Sequence, residues 1–252
     1  MARITRRQFL VSSTATVVAC AGPTDVKTGG PRRAAVRAPE VDQSWRYVKH
    51  DLVSGVLLDT EVNRVAVTGA AIGIVSHSES KPEGTVAYPS WGNPWTAKYM
   101  NPDLLGNSHV GEVQIPWGMV LVDSHWPRVQ AYEKPIPLWP VELRSGWSGL
   151  YSTNYRTPET AESLPWELKM TAHNWDTVSV PAGRFTALRY TNLIDLRYSN
   201  VSGRVAGQRK ETIWFAPEIG RWVIRESTGM FYQDVGEEFR EPATRWELLS
   251  YT

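Results

Sequence analysis

The fold is decided by the stretch Asp176-Thr-Val-Ser-Val-Pro-Ala-Gly-Arg-Phe-Thr-Ala-Leu-Arg-Tyr190. Apolar and polar residues alternate up to Val180, which is the period of a half-buried strand. Pro181 fixes a φ angle suited to a turn, and Gly183 tolerates the positive φ that closes a bend. The chain then returns through Phe185, so the pattern predicts a tight antiparallel hairpin.

A second hairpin is predicted downstream of the first. Its strands are Glu211-Thr-Ile-Trp-Phe215 and Arg221-Trp-Val-Ile-Arg-Glu226, and Pro217 and Gly220 supply the turn. Alternation along the second strand places Trp222 on one face and the arginines on the other. We therefore expect the apolar face to cover a core and the arginine face to meet water.

Short strand patterns and turn signals continue through residues 45–252, with no long helical period and no internal repeat. The sequence predicts a single all-β domain of antiparallel strands, forming a strongly curved sheet or open half-barrel. A β-sandwich stays open as an alternative. Gly203 to Lys210 is expected to be a basic loop, and a helical turn is expected around Glu159 to Ser163.

The two hairpins carry a resemblance to a protein family. It rests on Val180-Pro-Ala-Gly-Arg-Phe-Thr-Ala-Leu-Arg189 followed by Trp214-Phe-Ala-Pro-Glu-Ile-Gly-Arg-Trp-Val223. This pair resembles exported bacterial β-sheet lipoproteins of unknown function, in which a VPAG-F hairpin precedes a W-aP-iGr hairpin. More distantly, the chain resembles the half-barrels of envelope lipoprotein-carrier proteins. The resemblance implies a β fold and an envelope location, and it involves no catalytic residue.

Residues 1–20 are predicted to be an export signal. Arg6 and Arg7 precede a short, weakly apolar segment, as in twin-arginine signal peptides. That segment is too short to span a membrane. Cys20 is the only cysteine of the chain, and it follows the segment directly, as in a lipobox. We expect lipidation of Cys20, with cleavage after Ala21 to release a soluble form as the alternative.

Residues 21–44 are predicted to be a flexible tether, because they contain almost no large apolar side chain. The protein would then be a lipid-anchored envelope protein, facing the periplasm and attached to the membrane through its N-terminal lipid. The formal net charge of +1 gives no electrostatic case for nucleic acid as a partner. An apolar ligand, a glycan or an envelope protein stays open as the partner.

No catalytic or metal-binding motif is found, so we expect neither an enzyme nor a cofactor. Asp123-Ser124-His125 contains the three residue types of a catalytic triad, but triads are assembled from distant segments. The simpler interpretation is a strand end that enters a turn. A glycosidase would need a pair of carboxylates across a cleft; the candidates are Glu112, Asp123, Glu218, Asp234, Glu237 and Glu238.

Tryptophan is abundant, with 12 residues, and it has two interpretations. Trp91 and Trp95 lie in a stretch rich in Pro and Gly, so these two, with Trp117, are the candidates for ligand binding. Four of the others are expected to fill the core or its rim, because indole is a large apolar group; these are Trp147, Trp214, Trp222 and Trp246.

Three functions follow from these patterns. The first is a non-catalytic envelope lipoprotein that binds an apolar or amphipathic ligand, or an envelope partner, on a concave aromatic face. The second is a carbohydrate-binding protein that uses the loop tryptophans. The third is a hydrolase whose dispersed residues, including His109, His125 and His173, converge in one pocket.

Overall fold

The computed structural model of the protein describes residues 35–79, 109–126, 129–157, 160–200, 203–233 and 237–252. Within these residues the chain forms β-strands and one short 3-10 turn, Pro217–Ile219. In chain order the strands are β1 (Ser44–Asp51), β2 (Leu57–Val67), β3 (Ile72–Ser78), β4 (His109–Gln114), β5 (Met119–Asp123), β6 (Gln130–Pro137), β7 (Ser148–Thr157), β8 (Thr160–Val180), β9 (Gly183–Asn200), β10 (Gly203–Ala216), β11 (Arg221–Gln233) and β12 (Glu237–Tyr251).

The strands form a closed antiparallel barrel. Each strand pairs with its neighbours in sequence, and β1 pairs with β12 from Trp45 opposite Tyr251 to Asp51 opposite Thr244. The predicted all-β antiparallel domain is therefore confirmed. The sheet closes completely instead of stopping as a half-barrel, and closure pairs the backbone groups that an edge strand would leave exposed.

Both predicted hairpins are present. β8 and β9 meet with Val180 opposite Gly183, and β10 and β11 meet with Ala216 opposite Arg221. The basic loop predicted at Gly203 to Lys210 is wrong, because these residues lie in β10 and pair with β9. The predicted helical turn is also wrong, because β8 already begins at Thr160. Cross-strand pairing in these long hairpins overrides the local preference of polar residues for loops.

Large side chains fill the barrel interior. A closed sheet of this many strands encloses more space than an eight-stranded barrel, whose interior side chains just fill. Here much of the volume is taken by aromatic rings, together with arginine side chains. The largest fully buried side chains include Trp45, Tyr47, Tyr132, Tyr155, Trp166, Tyr190, Phe215 and Arg221. The high tryptophan content thus has a structural cause. The prediction that Trp147 and Trp222 belong to the core is confirmed, and Trp214 and Trp246 pack half-buried against it.

One end of the barrel is crossed by residues 35–43, which we call the strap. The amide of Arg37 donates to Pro217 O at 2.8 Å, and the amide of Asp42 donates to Val65 O at 2.9 Å. The last part of the segment predicted as a tether therefore packs on the barrel. We call the end of the barrel that carries the strap the strap end. The opposite end, where the β1–β2 turn lies, is called the far end.

Strands β3 to β6 are also buried on the face that points away from the interior. Val75 and Val113 lie there in a second apolar cluster with Ala71, Leu121, Val122, Val129 and Ala131. The described part of the chain contains no helix that is long and apolar enough to cross a membrane.

Candidate functional site

The barrel interior holds a cluster of charged side chains, which we call the interior charge cluster. Its members come from strands on opposite sides of the barrel and lie among the aromatic rings. They are Glu61, Glu112, Asp123, His125, Arg209, Glu211, Arg221, Arg225 and Glu241. Charges are seldom buried unless they are paired, so their partners define what this cluster can do.

Arg221 and Glu112 form the most deeply buried pair, with side chains 0% and 2% exposed. Arg221 Nη1 donates to Glu112 Oε1 at 2.8 Å, and Nη2 donates to the other carboxylate oxygen. The guanidinium also lies over the ring of Trp45, 5.3 Å from its centroid. The expectation that this arginine meets water is wrong, because its partner lies on β4, far away in sequence.

His125 lies beside three carboxylates. Its Nδ1 is 2.8 Å from Asp123 Oδ1 and 3.9 Å from Glu112 Oε2, and its Nε2 is 3.7 Å from Glu61 Oε1. Asp123 ends β5 and His125 lies in the bend that follows, as the simpler interpretation of this tripeptide predicts. Ser124 takes no part, because its hydroxyl donates to Gly111 O at 2.9 Å. The tripeptide is therefore not a catalytic triad.

A second group of charges centres on Glu211. Its carboxylate accepts hydrogen bonds from Arg225 Nη2 at 2.6 Å and from Asn192 Nδ2 at 3.1 Å. Arg209 pairs with Glu241 and lies over the ring of Trp126, 4.1 Å from its centroid. The cations and anions of this group therefore neutralise one another locally.

The environment keeps these groups ionised. Burial opposes the charge on His125, but the hydrogen bond to Asp123 and the nearby carboxylate of Glu61 outweigh it and raise the pKa of His125 to about 9. Burial likewise opposes the charge on Asp123, yet His125 lowers the pKa of Asp123 to about 2. Arg221 holds the pKa of Glu112 below its ordinary value against the effect of burial, and Arg225 does the same for Glu211.

Little space remains beside these charges. The cavity bounded by Asp123, His125, Tyr132, Asn192 and Glu211 has a volume of about 40 Å3. A water molecule needs roughly 10–15 Å3 measured in this way, whereas ligand pockets span roughly 300–1,000 Å3. This cavity, as the described residues bound it, can therefore hold a few waters but no substrate or lipid. Among the described residues, no three His, Cys, Asp or Glu side chains are placed to bind a metal ion.

A larger concavity, which we call the outer groove, lies along β9 to β12; its lining combines exposed residues of the outer wall with Arg209 and Glu241 of the interior charge cluster. Its volume is about 610 Å3. Two exposed apolar side chains, Leu193 and Met230, lie in it beside Lys210. Between the neighbouring strands β10 and β9 of this lining, Gln208 Nε2 donates to Asp195 Oδ1 at 2.7 Å. This wall thus combines apolar surface, one ammonium group and a volume in the range of small-molecule sites.

Trp117 lies at the strap end. It is half-buried and stacks on Trp45, with 6.5 Å between ring centroids and 16° between the planes. Its Nε1 donates to Arg37 O at 3.0 Å. The N–H group thus holds the strap at the barrel end, and one ring face packs on the core residue Trp45. The predicted role of Trp117 in ligand binding stays a prediction, as does that of Trp91 and Trp95, which lie outside the described residues.

The remaining candidates are dispersed or lie outside the described residues. Glu218 is exposed in the 3-10 turn, and His173 Nε2 lies 3.0 Å from Thr191 Oγ1. Only the backbone of His109 is described, in β4. The same holds for Glu237 and Glu238, which lie in β12. Outside the described residues lie Arg6, Arg7, Cys20 and Asp234.

Sequence reasoning missed most of the interior charge cluster, although β10 contained a signal. Arg209 and Glu211 alternate in phase with Ile213 and Phe215, and all four are buried. Because side chains two apart share a face of a strand, charges in phase with large apolar residues indicate an interior ion pair. The partners on β4, β11 and β12 had no such local signal.

No protein-family model and no curated protein matches the chain. Three solved structures are similar in shape. A candidate lipoprotein from Parabacteroides distasonis is 11% identical over 88% of this chain and 100% of its own, with a TM-score of 0.42. The hypothetical lipoprotein YmcC from Escherichia coli is 8% identical over 85% and 90%, with a TM-score of 0.40. A candidate exported protein with a YmcC-like fold from Bacteroides fragilis is 11% identical over 87% and 100%, with a TM-score of 0.42.

Proposed function

We propose that the protein is a non-catalytic, lipid-tethered envelope protein that works through the outer surface of its barrel. The observation that carries this proposal is the contrast between a filled interior and an open outer wall. The interior cavity measures about 40 Å3 and the outer groove about 610 Å3. Of these two spaces in the described structure, the outer groove is the one large enough for an apolar or amphipathic ligand.

The outer groove favours an amphipathic ligand or the matching surface of an envelope partner. Leu193 is 46% exposed and Met230 is 36% exposed, so covering them removes apolar surface from water. Lys210 lies between them on the same wall and pairs in register with Leu193. Its ammonium suits an anionic head group. The outer groove thus takes the place of the concave aromatic face that the sequence predicted. The described aromatic rings form the core instead.

The hydrolase alternative is less well supported by the site. His125 does converge with Asp123 and Glu112, as that hypothesis requires. However, both carboxyls have lowered pKa values, so neither supplies a general acid near neutral pH. The space beside them is water-sized, and each group is already engaged by a partner. A structural role for the interior charge cluster accounts for all of these contacts.

Native mass spectrometry of the protein extracted from membranes tests the proposal. We expect a chain that begins at Cys20 and carries acyl groups, and a Cys20→Ser variant without them. Any amphiphile that co-purifies should be lost from a Leu193→Glu/Met230→Glu variant, because both side chains line the outer groove. A soluble mature form without acyl groups would refute the tether, and a ligand that both variants retain would refute the outer site.

A further inference from the structure

Strands β8 to β10 carry two parallel rows of exposed side chains on the outer wall. The first, which we call the cation row, consists of Lys169 of β8, Leu193 of β9 and Lys210 of β10, paired side by side. The second, which we call the acid row, lies two residues nearer the far end and consists of Glu167, Asp195 and Gln208 on the same three strands. Positive and negative charges are thus separated by row.

The alternation of the strands fixes the direction in which both rows face. Leu168, Ile194 and Arg209 lie between the rows, one on each strand, and all three are buried. Because successive side chains of a strand point to opposite faces, the residues on either side of them point away from the interior. All six members of the two rows are exposed, and no register shift interrupts the pairing at these positions. The rows therefore form one regular surface.

The rows overlap the outer groove and extend it. Four of their members line the groove, and Lys169 and Glu167 continue the same surface onto β8. The two rows are about 6.8 Å apart, the length of two residues in an antiparallel strand. The two lysines lie two strand spacings apart, about 9.6 Å, with Leu193 between them. A bound head group would therefore have ammonium groups on one side and carboxylates on the other.

The charges of the two rows are not paired with one another. Within the described residues, Lys169, Lys210 and Glu167 form no ion pair, although opposite charges lie in the neighbouring row. Asp195 accepts one hydrogen bond, from Gln208 Nε2 at 2.7 Å, and a carboxylate can accept several. Ammonium groups and carboxylates are therefore both available to a ligand on this part of the wall.

We propose that the outer groove binds a single zwitterionic amphiphile, whose phosphate contacts the cation row, whose amine contacts the acid row and whose alkyl chain lies along the groove. This inference rests on the proposed function and names the head group of its ligand. The flexible stems of the two lysines let their ammonium groups converge on one phosphate above Leu193, and a primary ammonium donates to carboxylates. A purely anionic head group would lie beside unpaired carboxylates, and like charges placed together oppose binding.

Isothermal titration calorimetry of the full chain with Cys20→Ser tests the proposal, because no acyl group can then enter the groove. The probes are dodecyl phosphoethanolamine and dodecyl phosphate, each below the concentration at which it forms micelles. We expect the parent to bind the phosphoethanolamine more tightly. The acid-row variant, Glu167→Gln/Asp195→Asn, should lower that affinity roughly threefold to fivefold, as expected for exposed charge contacts, without weakening the binding of dodecyl phosphate. The cation-row variant, Lys169→Gln/Lys210→Gln, should weaken the binding of both probes.

Glu142→Gln/Glu218→Gln is the matched control, because it removes two exposed carboxylates away from the rows; both affinities should equal those of the parent. All of these side chains are exposed, so thermal unfolding should show parental stability. Equal effects of the acid-row variant on both probes, or tighter binding of dodecyl phosphate by the parent, would overturn the proposal. If both probes bind equally and Leu193→Glu/Met230→Glu abolishes both, only the head-group assignment fails. If neither probe binds the parent, the outer groove of the proposed function fails with it.

Discussion

Replacing Arg221 with methionine tests the interior charge cluster most sharply. The substitution keeps an unbranched apolar stem but removes the guanidinium, and it leaves the Glu112 carboxylate, 2% exposed, without its bidentate partner. Breaking a buried ion pair from one side costs roughly 3–5 kcal/mol. Here Glu112 keeps a hydrogen bond from Gln114 Nε2 at 2.9 Å and the nearby His125 at 3.9 Å. We therefore expect the free energy of unfolding to fall by about 3 kcal/mol, the lower end of this range.

The assay is equilibrium unfolding in urea, followed by tryptophan fluorescence in the Cys20→Ser background. With an m-value of about 2–3 kcal/mol/M, the loss corresponds to a midpoint lowered by roughly 1–1.5 M. The double variant Arg221→Met/Glu112→Met should recover at least half of the lost stability, because no unpaired buried charge remains. Arg144→Met is the control: it removes a pair whose arginine is 62% exposed, and exposed pairs contribute less than about 1 kcal/mol.

A cost below about 1 kcal/mol for Arg221→Met would show that the guanidinium is not held inside the barrel as described. Additive effects of the two single substitutions would likewise refute the pairing, because residues in direct contact must show a coupling energy.

Two further predictions concern the charge on His125 and the contact between the strap and Gly220. The pKa of His125 is raised from 6.5 to about 9 in the folded state. Its protonation therefore contributes on the order of 3 kcal/mol to the free energy of unfolding, which is fully present below pH 6.5 and is lost as the pH rises through 9. Urea unfolding between pH 6 and 10 should show this decline, and His125→Gln should remove it. Gly220→Ala should destabilise the protein more than Gly55→Ala: both positions have a positive φ, but a Cβ at Gly220 would lie 2.7 Å from Arg37 O, whereas Gly55 has open space. Thermal unfolding of the two variants measures the difference, and equal losses would show that the strap does not rest on Gly220.

The sequence was most informative where its signals were local. Pro181 with Gly183, and Pro217 with Gly220, mark turns whose chemistry is fixed within a few residues, and both hairpins appear as predicted. Barrel closure was not predictable in this way. It depends on β1 pairing with β12 across almost the whole described chain, and neither strand carries a pattern that identifies its partner.

The placement of the charged side chains in the candidate site was also not predictable from local sequence. Alternation along β11 predicted that Arg221 and Trp222 face opposite sides, but both are buried in the barrel beside Tyr47, and the rule that arginines face water was wrong for Arg221. The rule fails when a carboxylate that is distant in sequence compensates the buried charge. Here that carboxylate is Glu112 on β4, and its ion pair with Arg221 crosses the barrel interior. The tripeptide of His125 was set aside as a catalytic triad, while His125 itself stayed a candidate of the hydrolase hypothesis. Its actual partners, Asp123 and Glu61, include one from a separate strand.

The central claim is that the barrel is filled by its own side chains while an acyl group on Cys20 holds it at the membrane. Native mass spectrometry of the membrane-extracted protein tests both parts at once. The account predicts a chain beginning at Cys20 with acyl groups attached, and no small molecule retained by the Leu193→Glu/Met230→Glu variant. A mature chain without acyl groups, or a ligand that this variant still holds at one per barrel, would contradict it.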